Sequence, residues 1–264
     1  MARRLGSLTV PRRLVALGAS NLTRGLLTVV DAARQAWGEP LDIFTALGHG
    51  RSYGMKSAFL ARTLPAIKDC RLWSDLEDRP AAATLGLVTD VGNDILYGAP
   101  VEDILAWVEE CLARLKGLGA QVVVTDLPIA SIARLSEARF LFFRSVLVPS
   151  CRLSLTQVRD RATGVALGLD RLSVAHGASF FRLRPEWYGF DPIHIRPALW
   201  DAAWREILLG DAVSAPGKDA KGRRLSRWVK LYRAAPEQRW LLGRERRRAQ
   251  PSLTLGLGTS VFIY

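Results

Sequence analysis

Five short apolar segments alternate with longer amphipathic segments between residues 13 and 210, and this alternation constrains the fold more than any other feature. The apolar segments have the length of buried strands, and turn-forming residues follow each of them. The predicted strands are 13–17, 41–47, 81–89, 120–127 and 178–183. Such alternation usually yields parallel strands joined by right-handed crossovers. The sequence therefore predicts an α/β fold, a three-layer α/β/α sandwich around a parallel five-stranded sheet.

The helices between these strands are bounded by start and stop signals. The clearest is a capping box, Ser154-x-x-Gln157, which begins a helix that ends at His176 before Gly177. The other predicted helices are 22–37, 101–116, 131–147 and a final one that starts at Pro197 and ends at Gly210. Residues 1–210 are therefore predicted to form one α/β domain.

The charge of the chain is concentrated after residue 210. The net charge is +12, and residues 216–250 alone hold twelve Lys and Arg against three acidic residues. Residues 211–264 are therefore predicted to be a basic C-terminal extension. Its expected elements are a linker, a helix and a strand, at 217–224, 227–242 and 259–264. The extension either wraps the domain with a solvated basic face or binds an anionic surface such as acidic lipid or nucleic acid.

The composition argues against several classes of protein. Three cysteines without CxxC spacing argue against a disulfide framework or a zinc site. The apolar run after Arg3 and Arg4 breaks at Pro11, which makes a poor signal peptide. No apolar run approaches the roughly 18 residues of a membrane span. The expectation is a cytoplasmic protein that needs no metal and no cofactor.

Two polar residues follow predicted strands at turns into helices. Ser20 lies in the turn after the first strand, and Asn93 comes after the third. Open α/β sheets bind ligands at this edge, where a hydroxyl also lies near the amides of a helix N-terminus. The side-chain amide of Asn93 would donate a hydrogen bond into the same cleft. Alternatively, Ser20 or Asn21 only caps a helix, and Asn93 belongs to an ordinary turn.

Three glycines lie in the seven residues from Gly48 to Gly54, after the second strand. Such a density of glycine indicates positive φ or a close approach of the backbone to another group. One interpretation is a dinucleotide-binding loop, although the spacing after Gly50 does not fit GxGxxG. The other interpretation is that a backbone amide of this loop is offered to an anion or an oxyanion.

A proline-rich loop, residues 184–197, holds Asp191 three residues before His194. Asp191 would accept a hydrogen bond from one ring nitrogen of His194 and leave the other nitrogen free to act as a general base. Alternatively, Asp191 caps the next helix and His194 is an exposed loop residue. His176 is expected at a helix C-terminus, where it meets the helix dipole.

These polar residues are expected to meet, because parallel strands end at one edge of a sheet. The residues that follow the predicted strands are Ser20, Gly50, Asn93, Asp191 and His194. Together they offer a nucleophile, a base and donors for a developing oxyanion, which is what acyl chemistry at an ester carbonyl requires.

Four short blocks resemble, in order, those of the SGNH hydrolases, also called GDSL-type esterases. The blocks are Gly18-Ala19-Ser20-Asn21-Leu22, Gly50-Arg51-Ser52, Gly92-Asn93-Asp94 and Asp191-Pro192-Ile193-His194. The resemblance covers about residues 12–210 and implies a flavodoxin-like fold. It implies that Ser20 is the nucleophile, that His194 is its base, and that Asp191 orients His194. One departure is Ala19, which stands where the family usually has an acid.

The resemblance also implies an oxyanion hole. Its donors would be the amides of Ser20 and Gly50 and the side chain of Asn93. Gly48 and Gly54 are alternative donors in the same loop. Thus the resemblance and the residues themselves lead to the same chemistry.

The predicted function is hydrolysis of an acyl or acetyl ester of a small molecule through a Ser-His-Asp triad. Candidate pocket-lining residues are Arg51, Tyr53, Tyr97, Trp187 and Tyr188. Acetylated sugars, lipid esters, short acyl esters and thioesters all suit this machinery. One alternative is a catalytically inactive protein of this fold that binds an anionic surface through its basic extension, without an obligate nucleic acid. The other is a nucleotide-binding oxidoreductase, based on the Gly48–Gly54 loop.

Overall fold

A mixed β-sheet with helices on both faces forms the centre of the protein. The computed structural model describes residues 12–210, 227–231, 233–256 and 258–264. Its strands are β1 (Arg13–Leu17), β2 (Leu41–Ala46), β3 (Ser57–Phe59), β4 (Arg62–Leu64), β5 (Thr84–Val88), β6 (Gln121–Thr125), β7 (Ser179–Phe181), β8 (Gln238–Leu241), β9 (Arg244–Arg247), β10 (Leu253–Leu255) and β11 (Thr259–Ile263). Its α-helices are α1 (Ser20–Trp37), α2 (Leu72–Glu77), α3 (Asn93–Leu96), α4 (Val101–Gly117), α5 (Ile129–Ala133), α6 (Glu137–Leu147), α7 (Leu155–His176) and α8 (Trp200–Leu209).

The central sheet has seven strands in the order β10-β11-β2-β1-β5-β6-β7. Every neighbouring pair is parallel except β10 with β11. The five strands expected from the sequence are present as β1, β2, β5, β6 and β7. The three-layer α/β/α arrangement around a parallel sheet is therefore confirmed.

The middle strand, β1, contributes side chains to two hydrophobic cores. Val15 and Leu17 belong to the core that includes residues of α4 and α7, whereas Leu14 and Ala16 belong to the core that includes α1 and α8. All four side chains are fully buried. Apolar residues at successive positions are typical of a strand covered on both faces. This burial fixes the end of β1, and therefore the position of Ser20 just beyond it.

Two of the predicted helices differ in how well the sequence located them. The expected helix at 131–147 is divided into α5 and α6, because Ser136 starts a new helix by accepting a hydrogen bond from the Arg139 amide at 3.4 Å. By contrast, α7 begins at the expected capping box and ends at Gly177, which has the left-handed conformation.

The C-terminal residues extend the central sheet by two strands. The sequence predicted one of these strands but not its place in the sheet. Strand β11, which coincides with the strand expected at 259–264, pairs in parallel with β2, and β10 adds a further strand outside it. The rings of Phe44 and Phe262 stack with their centroids 4.2 Å apart across this pair. The division at residue 210 therefore does not separate the extension from the domain: its last strands are part of the domain's own sheet.

A second, four-stranded sheet in the order β3-β4-β8-β9 also joins the two parts of the chain. Residues 227–231 are helical, but the predicted helix at 227–242 is wrong in its second half, where β8 begins at Gln238. Pro236 cannot continue a helix, and β8 pairs with β4 instead. The predicted linker at 217–224 lies outside the described residues.

Two further features of the structure concern membrane spans and cysteines. Within the described part of the chain, no helix is long and apolar enough to cross a membrane. The three cysteines, Cys70, Cys111 and Cys151, are free and buried. The cytoplasmic location stays a prediction.

Candidate functional site

The C-terminal edge of the central sheet brings the predicted site residues together. Ser20 is the first residue of α1, separated from β1 by two residues, and Asn93 is the first residue of α3, after β5. His194 lies in the loop between β7 and α8, and its side chain returns to the end of β1. Ser20 and His194 are almost completely buried, with 8% and 5% of their surface exposed.

Ser20, His194 and Asp191 form a continuous line of hydrogen bonds. The Ser20 hydroxyl lies 2.9 Å from Nε2 of His194, and Nδ1 of His194 lies 2.6 Å from Oδ2 of Asp191. When Nδ1 carries the proton and donates to Asp191, Nε2 is free to accept the proton of the Ser20 hydroxyl. The sequence alternative in which His194 is an exposed loop residue does not agree with this geometry.

Asp191 is held as a carboxylate by its surroundings. Burial alone would raise the pKa of Asp191, but the hydrogen bond and charge of His194 and two backbone amides together lower it below its usual value. Those amides belong to Ile193 and His194 and donate to the second oxygen, Oδ1, at 3.1 and 3.2 Å. With Oδ1 bound to the backbone and Oδ2 bound to the ring, the loop has one orientation for the imidazole.

Asp90 supports the turn that carries Ser20, a role that the sequence analysis missed. One carboxylate oxygen, Oδ2, accepts hydrogen bonds from the amides of Ala19 at 2.9 Å and Leu22 at 3.0 Å. The other, Oδ1, accepts from the side-chain amide of Asn21 at 2.9 Å. Ala19 has no polar side chain to support this turn, so an acid at the end of the neighbouring strand β5 does so. The signal in the sequence was an aspartate at a strand end, directly before Val91-Gly92.

Asn21 joins the serine turn, residues 18–22, to the histidine loop, residues 184–197, whereas the sequence offered it only as an alternative helix cap. Its side-chain oxygen accepts a hydrogen bond from the Ile195 amide, and its side-chain nitrogen donates to the Ile193 carbonyl, both at 2.9 Å. These two residues flank His194 on either side. No local motif announces this contact, because 172 and 174 positions separate the partners.

The glycine loop, Gly48 to Gly54, places Gly50 at the site, whereas its other two glycines lie against apolar side chains. Gly50 has φ of +65°, and a Cβ there would lie 2.6 Å from the Tyr97 hydroxyl, which donates to the Gly50 carbonyl. A Cβ on Gly48 would collide with Leu64. A Cβ on Gly54 would collide with Trp107. Gly50 is thus the glycine of this loop that lines the cleft beside Ser20.

Asn93 lies next to a buried acid that orders the same loop. The Asn93 side chain donates to the Arg51 carbonyl at 3.4 Å. Asp94 accepts a hydrogen bond from the Ser52 hydroxyl, and it accepts one from the Tyr53 amide at 3.0 Å. Burial raises the pKa of Asp94 to about 6, against the opposing effect of these two hydrogen bonds. The acid therefore ties the glycine loop to α3.

Two cavities meet at Ser20. The first has a volume of about 100 Å³ and is lined mainly by apolar side chains of the segment after β6 and of α6 and α7. The second is an open cleft of about 410 Å³, lined by polar and apolar groups from α1, the glycine loop and the end of α6. The residues that line both are Ser20, Asn93, Leu96, Leu147 and Ile193. Ser20 therefore lies at the boundary between an apolar cavity and a more polar cleft.

Two of the five candidate pocket-lining residues line these cavities. Tyr188 lines the apolar cavity, and Tyr97 lines the open cleft. The other three candidates, Arg51, Tyr53 and Trp187, line neither cavity and lie instead in the protein interior. Arg51 is fully buried and donates to the carbonyls of Pro65, Leu47 and Tyr264.

The remaining two aromatic candidates are also part of the interior. Tyr53 donates its hydroxyl towards the carbonyls of Leu17 at 3.0 Å and Thr89 at 2.7 Å. Trp187 is buried and stacks on Phe181 with ring centroids 5.9 Å apart. The apolar cavity is lined instead by residues such as Phe140, which the sequence analysis assigned to no site because they carry no motif.

The other histidines have different surroundings. His49 lines the open cleft, and its pKa is lowered to about 4 by burial and by the positive charges of Arg24, Arg62 and His194. His176 lies at the end of α7, where Nε2 is 3.5 Å from Glu109, as its expected position at a helix terminus suggests. The residues that the structure describes contain no cluster of acidic, histidine or cysteine side chains suited to a metal ion.

Comparison with known proteins gives a likeness of fold. No family model matches the sequence, and no curated protein matches it either. The psychrotrophic esterase EstA from Pseudoalteromonas sp. is 12% identical, with 83% of this chain and 98% of that chain covered and a TM-score of 0.45. A GDSL-like lipase from Bacteroides thetaiotaomicron is 13% identical, with 76% and 90% covered and a TM-score of 0.47. AlinE4, an SGNH-hydrolase family esterase, is 14% identical, with 84% and 93% covered and a TM-score of 0.42.

Proposed function

We propose that the protein is a serine hydrolase of the SGNH type that cleaves an acyl or acetyl ester of a small molecule. The observation that carries the proposal is the line of hydrogen bonds from Ser20 through His194 to Asp191, at 2.9 and 2.6 Å, where two cavities meet. A serine hydroxyl needs such a base to become a nucleophile at neutral pH.

The first half of the reaction forms an acyl-enzyme. Oγ of Ser20 bonds to the ester carbonyl carbon while its proton passes to Nε2 of His194, and the carbonyl oxygen becomes an oxyanion. The amides of Ser20 and Gly50 and the side chain of Asn93 are the proposed donors to that oxyanion. The carbon–oxygen bond to the alcohol then breaks, and Nε2 returns the proton to the departing oxygen.

The second half consumes one water molecule. Water attacks the acyl carbon as Nε2 takes one of its protons, and a second oxyanion forms in the same place. The bond to Oγ of Ser20 then breaks, the serine regains its proton from Nε2, and a carboxylic acid leaves. Asp191 remains a carboxylate and stabilises the imidazolium in both halves.

The apolar cavity is the proposed site of the acyl group. Its walls include Leu127, Ile132, Phe140 and Ala162, and such walls favour burial of methylene groups by about 0.8 kcal/mol each. We therefore expect kcat/KM to rise as the acyl chain lengthens from acetate, until the chain fills the cavity. Replacing Ala162 with leucine would narrow the cavity and move the best chain length downwards.

Hydrolysis of p-nitrophenyl esters from acetate to dodecanoate, by the wild type and by Ser20→Ala, tests the proposal. The wild type should hydrolyse at least one ester, and Ser20→Ala should lose at least about 10³-fold in kcat. Ser74→Ala is the matched control, because Ser74 is an exposed serine on α2 that donates to the Arg71 carbonyl. Equal rates for Ser20→Ala and the wild type would contradict the proposal.

A second candidate function is contact with an anionic lipid surface through the C-terminal residues. All four side chains of β9 are exposed, and three of them are arginines, although Arg247 pairs with Glu245 at 2.6 Å. At the adjacent hairpin tips Leu60 is 91% exposed and Leu242 is 84% exposed. Exposed leucines beside arginines are typical of surfaces that bind the interface of an acidic bilayer. The alternative of a catalytically inactive binding protein rests on the same surface.

Sedimentation with vesicles that contain acidic lipid tests this second candidate. Leu60→Ser combined with Leu242→Ser should reduce binding, and Val174→Ser is the control, since Val174 is 78% exposed on α7. Binding should weaken as salt increases. Binding without any esterase activity would favour the inactive alternative, and preference for DNA over vesicles would point to nucleic acid instead.

A further inference from the structure

The open cleft contains a cationic side chain one helical turn from Ser20. Arg24 is four residues after Ser20 in α1, so the two side chains lie on the same face, with Cβ atoms about 5–6 Å apart. Both residues line the cleft, and Arg24 is exposed. It makes no hydrogen bond or ion pair with any other described residue. An arginine beside a reacting serine thus has its five donors free for a ligand.

The cleft offers Arg24 no acidic partner. Its described lining has no aspartate or glutamate. Asp90, which lies near enough to act on His49, already accepts hydrogen bonds from Ala19, Leu22 and Asn21. The positive charge in the cleft is therefore not balanced from within.

His49 reports the same positive field. It lines the cleft, stacks obliquely on Phe59 with ring centroids 5.4 Å apart, and is kept neutral by burial and by the charges around it. Arg24 and Arg62 are the two arginines that contribute to this effect. A neutral imidazole here adds a hydrogen-bond donor and acceptor without adding to the positive charge.

We propose that the cleft binds the alcohol half of the ester and that Arg24 recognises an anionic group, a carboxylate or a phosphate, on that alcohol. This inference rests on the proposed function, because the acyl half occupies the apolar cavity on the other side of Ser20. The guanidinium forms paired, charge-assisted hydrogen bonds with either anion. The substrate class is therefore an acyl ester of a small acidic alcohol.

Three butyrate esters of substituted phenols test the inference. One carries a para-carboxylate, the second carries a para-phosphate, and the third carries the neutral methyl ester of the carboxylate. The quantity measured is the ratio of kcat/KM for each anionic ester to kcat/KM for the neutral ester. Because each protein variant is compared on the same three compounds, the intrinsic reactivities of the compounds cancel.

We expect Arg24→Gln to lower the ratio by at least about tenfold for the anion that the cleft prefers. Arg24→Lys should retain part of the preference, because it keeps the charge but loses the paired geometry. Arg12→Gln is the matched control, since Arg12 is exposed at the opposite end of β1. The ratio for Arg12→Gln should equal that of the wild type, and added salt should reduce the wild-type ratio.

Each other outcome overturns the role of Arg24, and one of them also overturns the proposed function. Equal ratios for the wild type and Arg24→Gln, with hydrolysis of the neutral ester intact, would overturn the role of Arg24 and leave the esterase proposal standing. A tenfold fall of the ratio in Arg12→Gln would show a general effect of surface charge and would likewise overturn the role of Arg24. Absence of hydrolysis of all three esters and of the p-nitrophenyl series would overturn the proposed function together with this inference.

Discussion

Asn21 and Asp90 are joined by a hydrogen bond of 2.9 Å between the side-chain amide of Asn21 and Oδ1 of Asp90. The same amide nitrogen donates to the Ile193 carbonyl, and Asn21 Oδ1 accepts from the Ile195 amide. Three separate parts of the chain thus meet at one side chain: the start of α1, the end of β5 and the histidine loop. The position of His194 relative to the serine beside Asn21 depends on this junction.

Replacement of Asp90 should lower activity without removing any reacting group. Asp90→Ala leaves the amides of Ala19 and Leu22 without an acceptor, which should cost about 1–3 kcal/mol in the free energy of unfolding for each group left buried and unpaired. We also expect kcat to fall by about 10²-fold, since misplacement of about 1 Å has effects of that size. Chemical denaturation and ester hydrolysis measure the two effects.

Asp160→Asn is the control for this prediction, because Asp160 is exposed on α7. It should change stability by no more than about 0.5 kcal/mol. An Asp90→Ala variant with wild-type kcat would show that the serine turn needs no support from β5.

Asp191→Asn should reduce kcat by about 10²–10⁴-fold while the protein stays folded. An asparagine cannot accept hydrogen bonds at both former oxygens, so it loses either the ring contact or the two backbone contacts at 3.1 and 3.2 Å. In serine proteases the equivalent change costs about 10⁴-fold, because the imidazole takes the wrong tautomer. His194→Ala should be at least as severe. Steady-state kinetics of both variants check the order, and a fully active His194→Ala variant would exclude it as the base.

Gly50→Ala should impair both activity and stability. The residue has φ of +65°, which disfavours a side chain, and the new Cβ would lie 2.6 Å from the Tyr97 hydroxyl. Tyr97→Phe in the same protein removes that clash, so the double variant should recover part of the lost activity. If the double variant recovers no activity, the clash with Tyr97 does not explain the defect, and backbone strain at Gly50 or a changed loop does.

Gly38→Ala separates backbone strain from the effect at the site. Gly38 has a similar φ of +74°, and a Cβ there would meet no atom within 4 Å. It lies at the far end of α1 from Ser20. Because Gly38 combines this φ with ψ of −168°, a conformation that essentially only glycine adopts, the variant should lose about 1–3 kcal/mol of stability and keep its kcat.

Asp94 should make the protein less stable as the pH rises from about 4 to about 6. Its pKa is raised by burial to about 6, from an ordinary value of 3.8. Between these two pH values the folded protein holds a proton that the unfolded chain has released, so the stability contributed by protonated Asp94 falls as pH rises through the window. Above about pH 6 both states have lost the proton, and the dependence ends.

The difference in Tm between the wild type and Asp94→Asn, measured from pH 3.5 to 7.5, isolates this effect from other carboxylates. The wild type should lose stability relative to the variant across the window and run parallel to it above pH 6. A difference that does not change with pH would mean that the buried acid titrates normally.

The sequence predicted the central strands well because each is a buried apolar run that ends in turn-forming residues. It also located the residues that carry a local signal: Ser20 at a strand end, the glycine of positive φ at Gly50, and the Asp191–His194 pair in a proline-rich loop. The capping box of α7 is predictable for the same reason, since its two partners are three residues apart.

The features that the sequence did not reveal depend on contacts between distant segments. Strand β11 returns to pair with β2 across more than 200 positions, and the short hairpin of β3 and β4 joins a larger sheet through the pairing of β4 with β8. Arg51 shows the same limit at a single residue. An arginine next to a glycine block resembles a pocket residue, but the carbonyls that surround it come from three separate parts of the chain.

The most direct test of the central claim is the site of reaction with a fluorophosphonate, an electrophile that bonds to an activated serine. Mass spectrometry of the treated protein should find one adduct, on Ser20, because its hydroxyl is 2.9 Å from Nε2 of His194. Reaction should slow greatly in His194→Ala and be absent in Ser20→Ala. An unmodified wild type, or an adduct on Ser52 or any other serine, would contradict the assignment of Ser20 as the nucleophile.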